Sequence, residues 1–132
     1  MKAIADTGFL VALASERDMH HPWAASIADL VTEPLLTCEA VLAETAFHLR
    51  DAAGVLDMVL SGLVTLAFDA GSQAAELYAL ATRYANRRPD FADLCLVRMS
   101  ELHPRHTVIT IDRKDFTIYR RHRNQPIPLI CP

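Results

Sequence analysis

Lys2-Ala3-Ile4-Ala5-Asp6-Thr7-Gly8-Phe9-Leu10-Val11-Ala12-Leu13-Ala14 carries a short apolar run, one acid, a small polar pair and a second apolar run. Lys2 to Asp6 is a strand candidate, and Gly8 to Ala14 fits a helix packed on it. The same alternation recurs along the chain. Strands are predicted at Leu35–Thr37, Leu63–Phe68, Thr107–Ile111 and Ile127–Cys131, the last between prolines that suit a sheet edge. Helices are predicted after Pro22, with Trp23, Ile27 and Leu30 at helical spacing, and from Thr37 as cap to about Arg50. Others follow at Asp51–Leu60, Ser72–Tyr84 and Asp90 to about Leu102. Short apolar strands alternating with helices imply crossover connections. The expected fold is therefore α/β: one domain over residues 1–132, with a mainly parallel sheet of four to five short strands and helices on both faces.

At 132 residues and 14.7 kDa, with 52% apolar and 22% charged residues, the chain can bury a core without disulfides or a structural metal. Its net charge of −3 conceals a split. Residues 83–123 hold ten of the thirteen Lys and Arg and five of the sixteen acids, so that stretch is +5 and the remainder −8. A polyanionic partner is compatible with that distribution. Cys38, Cys95 and Cys131 show no CxxC spacing, which fits a reducing compartment. No apolar run approaches the ~18 residues of a membrane span, and Asp6 interrupts any signal-peptide core. A cytoplasmic protein without membrane association is expected.

In parallel sheets, ligand sites gather beyond the carboxyl ends of the strands. Asp6 closes the first strand, Asp112 closes the fourth, Asp93 falls in the first turn of the helix leading to it, and Glu44 lies inside the helix after the second. Ala40, Val41 and Phe47 share a helical face with Glu44, so an apolar stripe is expected to carry a carboxylate that needs a partner. Four carboxylates in one cleft repel one another unless a cation neutralises them. Oxygen-only ligands favour Mg²⁺ or Mn²⁺ over zinc, and such ions commonly act on phosphates.

Four pieces in order resemble a PIN-domain ribonuclease of the VapC toxin type: Ile4-Ala5-Asp6-Thr7-Gly8-Phe9-Leu10, the Glu44 helix introduced by Leu36-Thr37, Pro89-Asp90-Phe91-Ala92-Asp93-Leu94, and Thr110-Ile111-Asp112-Arg113-Lys114-Asp115-Phe116. The resemblance spans essentially the whole chain. It implies metal-dependent hydrolysis of RNA phosphodiesters by a metal-activated water, homodimerisation, and inhibition by a small VapB-like antitoxin. It places Asp6, Glu44, Asp93 and Asp112 as catalytic residues and metal ligands, with Thr7 and Thr110 as hydroxyl neighbours. Asp90 and Asp115 each lie three residues from a proposed ligand. Asp90 is expected as a helix cap, and Asp115 behind Asp112 or facing solvent. Arg87, Arg88, Arg113 and Lys114 are the RNA-contact candidates.

Other assignments of the same residues remain to be weighed. Asp6-Thr7-Gly8 spells the aspartic-protease triplet, but that enzyme needs an all-β chain with strands before the triplet. A phosphatase using Asp6 as nucleophile would carry a second Asp at position 8, where Gly stands. A PIN-fold RNA-processing nuclease outside any toxin–antitoxin pair, or a catalytically silent RNA- or partner-binding protein, are the alternatives. The six histidines lack paired metal spacing. Trp23, Phe47 and Tyr78 are expected in the core or a dimer interface.

Overall fold

The computed structural model describes residues 1–132. In chain order its first half comprises β1 (Ala3–Ala5), α1 (Thr7–Ala14), α2 (His21–Ala28), β2 (Leu35–Thr37), α3 (Glu39–Leu49), α4 (Ala52–Leu60) and β3 (Val64–Leu66). The second half comprises α5 (Ala74–Arg83), a 3₁₀ turn (Ala85–Arg87), α6 (Phe91–Leu102), β4 (Thr107–Ile109), α7 (Arg113–Ile118), β5 (Arg120–Arg121), β6 (Gln125–Pro126) and β7 (Leu129–Ile130). Five strands form one parallel sheet in the order β3-β2-β1-β4-β7, with helices around it. The expected α/β class is therefore the observed one.

Strands of two or three residues supply few ladder bonds, so burial holds them. Ala3, Ile4, Ala5, Leu35, Val64, Val108 and Ile109 are all buried, each large one contributing about 1.5–3 kcal/mol on removal from water. Around them lie Phe9 and Leu10 of α1, Val41 of α3, Leu96 and Met99 of α6, and Phe116 of α7. Trp23 closes one side, meeting Phe9 edge-on with ring centroids 5.9 Å apart. Edge strand β7 pairs only with β4, and the Pro128 carbonyl accepts from the Val108 N–H at 2.9 Å, a role that needs no proline donor.

Several expectations are corrected. Thr37 does not cap α3: it ends β2, and its hydroxyl donates to the Ala5 carbonyl across the sheet at 3.0 Å. Cys38 occupies the N-cap position and makes no side-chain cap bond. Phe47 and Tyr78 are exposed, and only Trp23 packs on the core, so Phe47 contributes no apolar stripe beside Glu44. Helix α7 and the β5–β6 hairpin lie where only basic residues were prominent. Phe116 and Tyr119, three apart and both buried, anchor that segment. Arg121 fastens the hairpin by donating to the Ser100 and Pro104 carbonyls at 3.1 Å, while His122 and Arg123 turn the chain with φ of 48° and 73°. No helix is long and apolar enough to cross a membrane.

Candidate metal centre

Strand order reverses at β1, whose neighbours are β2 on one side and β4 on the other. A crevice opens where the chain leaves two adjacent parallel strands for different helices. Asp6 is the first residue after β1 and caps α1. Its N–H donates to the Ile109 carbonyl at 3.1 Å, which fixes it against the end of β4. Its Oδ1 accepts from the Thr7 N–H and its Oδ2 from the Thr110 hydroxyl, each at 2.6 Å. The Thr110 oxygen in turn accepts the Asp112 N–H at 2.9 Å, so one hydroxyl sets the spacing of two carboxylates. On the other flank, the Thr7 hydroxyl donates to Glu44 Oε1 at 2.7 Å. Thr7 and Thr110 thus each set a hydroxyl against a cleft carboxylate.

Asp90 caps α6, with Oδ1 accepting the Asp93 N–H at 2.8 Å, and Asp112 caps α7, with Oδ1 accepting the Asp115 N–H at 3.0 Å. Three Asp-capped helix N-termini therefore meet at the cleft, and their partial positive charges lower the cost of gathering acids there. The Asp93 carboxylate, unlike those of Asp6 and Asp112, accepts no hydrogen bond.

The cleft has a volume of about 420 Å³ and is lined by Asp6, Glu44, Asp90, Asp93, Asp112 and Asp115, with Thr7, Gly8 and Ile111 between them. All four proposed ligands reach it. The tightest oxygen cluster is a different subset: one carboxylate oxygen each from Asp93, Asp112 and Asp115, all within 4.8 Å of one another. Asp115, expected behind Asp112, stands level with it. Asp90 is the cap it was read to be and also borders the cleft.

Burial raises the Asp6 carboxyl to about 6; nearby Glu44 and Asp112 push the same way, against the hydrogen bonds from Thr110 and Thr7. Asp93 is raised to about 8, again first by burial, then by Asp90, Asp6, Asp112 and Asp115. Asp112 is raised too, with burial the largest cause. Near neutral pH Asp93 therefore keeps its proton. Among the cleft acids only Asp115 has an ion pair: Arg87 keeps its Nη2 3.9 Å from Asp115 Oδ1, with both side chains more than a third exposed, so solvent weakens the pair. Clustered oxygen donors, a carboxylate without hydrogen-bond donors, and protons that a cation can displace fit a hard divalent ion, as the ligand chemistry requires. Zinc's usual Cys or paired His ligands are absent from the cluster.

The basic residues separate into two groups. Arg87 and Arg88 are exposed on the turn before Asp90, and Arg113 and Lys114 on the first turn of α7 beside Asp112. Arg98 and Arg121 are instead bonded into the fold, Arg98 to Gln73 and Glu101, Arg121 to backbone carbonyls. Two cleft residues were not singled out from the sequence: His48 and Asp18. His48 was legible as the residue one helical turn after Glu44, whereas Asp18 sits in a loop whose path no local pattern reveals. Compared with protein-family models the chain matches none, and no curated protein matches it.

Proposed function

We propose that this chain is a divalent-metal-dependent ribonuclease of the VapC-like PIN type, hydrolysing RNA phosphodiester bonds. The observation that carries this is the convergence of seven carboxylates on the strand-order switch of a parallel sheet, with a single weak ion pair, Arg87 to Asp115, among them. A structural role does not account for that charge, because each added acid raises the cost of the others. Asp6, Glu44, Asp93 and Asp112, joined by Asp115 from its place in the oxygen triad, would hold Mg²⁺ or Mn²⁺. When bound, such an ion supplies Lewis-acid activation of water and offsets charge building on the phosphate.

The side chains around it have separable tasks. Thr7 and Thr110 hold Glu44 and Asp6 in position, so little reorganisation is needed on loading. Asp93 releases its proton when positive charge arrives. A phosphodiester is repelled by bare acids, so Arg87, Arg88, Arg113 and Lys114 at the rim would take the flanking phosphates. RNA as the polymer, a 3′-hydroxyl and 5′-phosphate as products, homodimerisation and inhibition by a small VapB-like antitoxin follow from the resemblance of the Asp6, Glu44, Asp93 and Asp112 segments to that family. Asp6→Asn tests the assignment: cleavage is expected to vanish with the fold retained by circular dichroism, and full-rate cleavage by the variant would refute it.

A further inference from the structure

A second cavity, of about 510 Å³, is walled by the same two helices as the acidic cleft: Ala40 and Ala43 of α3 line it just before Glu44, and Phe91 of α6 just after Asp90. The loop after β3 closes it, with Phe68 and Asp69 at the wall. Its walls are mostly apolar where those of the cleft are acidic, and its size is that of a small-molecule pocket. Phe91 stands apart from the residues behind it. Ala92, Leu94 and Cys95 are buried, whereas Phe91 is 55% exposed at the cavity. Glu39, in the first turn of α3, also borders the cavity and has neither an ion pair nor a hydrogen-bond donor within the protein. Asp69 is partly engaged, its Oδ1 accepting the Gly71 N–H at 3.1 Å. An acid at a helix start is favourable in any case; an open aromatic ring beside an apolar cavity is not, because both surfaces stay in water.

We propose that this cavity receives one unstacked base of the RNA strand whose phosphodiester sits in the acidic cleft, with guanine preferred. The assignment rests on the ribonuclease reading above and names the base it selects. Arg87-Arg88-Pro89-Asp90-Phe91 runs from exposed guanidinium groups past a cleft wall to the open ring within five residues, so one short segment offers a phosphate contact, a cleft boundary and a stacking surface. Single-stranded RNA is read by that combination: bases splay out, stack on aromatic rings and bond through their Watson–Crick edges. An ionised carboxylate only accepts hydrogen bonds. On guanine that edge carries two adjacent donors, N1–H and the 2-amino group, which match the two oxygens of Glu39. Adenine and cytosine place an acceptor beside their donor, and uracil sets its donor between two acceptors. The same carboxylate repels phosphate, which favours a base over the backbone in this cavity.

Fluorescence anisotropy of the full-length protein with labelled pentauridylate, and with strands whose central uridine is replaced by guanosine, adenosine or cytidine, tests the pocket. Ca²⁺ stands in for Mg²⁺, and strand integrity is checked on a gel. The guanosine strand is expected to bind about tenfold tighter than the other three. Phe91→Ala should weaken its binding about tenfold through lost stacking. Glu39→Gln should erase the preference for guanosine, since an amide offers one acceptor beside a donor. Both side chains are exposed, so each variant should melt close to the wild type. Equal binding of all strands, no binding of any, or a guanosine preference that survives both substitutions would overturn the base pocket. Metal-dependent cleavage of a longer RNA, run alongside, shows in each case whether the ribonuclease reading falls as well.

Discussion

Asp6 accepts strong hydrogen bonds on both oxygens and still keeps a raised pKa, because burial outweighs two donors. Thr110 is the residue to perturb. Thr110→Val removes the donor to Asp6 and the acceptor of the Asp112 N–H, and should lower Mn²⁺ affinity about 10- to 100-fold by titration calorimetry. Unchanged affinity would show that the hydroxyl positions nothing that matters. Asp6 and Asp93 also predict a pH dependence. Both bind protons more tightly folded than at the ordinary 3.8, so without metal their stabilising contribution is fully present below 3.8. It is lost as pH rises through about 6 for Asp6 and about 8 for Asp93. A divalent ion replaces those protons, so the rise in Tm caused by Mn²⁺ should grow with pH up to about 8. A larger rise at acidic pH than near pH 8 would contradict the cluster as the binding site.

At the scale of elements, Gly8 lets the first turn of α1 pass close to the loop that delivers Asp112. A Cβ there would lie 2.5 Å from Ile111 Cγ1 and 2.7 Å from its Cδ1. Gly8→Ala should therefore cost about 1 kcal/mol in denaturant unfolding, crowding outweighing the gain in helix propensity. In an Ile111→Ala background the same change should become stabilising. A purely additive double-mutant cycle would mean that the contact is not limiting. The elements themselves were mostly legible. β2, α3 and α6 stand close to their expected bounds: apolar patterning marks all three, and Asp90 caps α6 as its place before the helix suggested. β4 is shorter than the β-branched run Thr107–Ile111, and Thr110, just past its end, turns its hydroxyl to Asp6. α7 was hidden because its burial rests on Phe116 and Tyr119 amid exposed charges.

At the scale of the molecule, a net charge of −3 coexists with an acidic cleft and a basic rim. The sequence split of +5 against −8 overstated the rim, since Arg98 and Arg121 hold the fold together. The exposed pair Arg87 and Arg88 should matter more: Arg87→Ala with Arg88→Ala is expected to weaken RNA binding and reduce the salt slope by about 2. An unchanged slope in filter binding would place the RNA elsewhere. That Asp6, Asp93 and Asp112 share the cleft was readable from their places after strands and at a helix start. The close approach of Asp115 was not, because it depends on the turn from β4 into α7. The most direct measurement is cleavage of an end-labelled RNA by the purified chain with Mg²⁺, with EDTA, and after Mn²⁺ is restored, beside Asp6→Asn. Metal-dependent ribonuclease chemistry predicts cleavage that stops with EDTA, returns with Mn²⁺ and is absent in the variant. Full-rate cleavage in EDTA or by Asp6→Asn, or no cleavage under any metal condition, would contradict it.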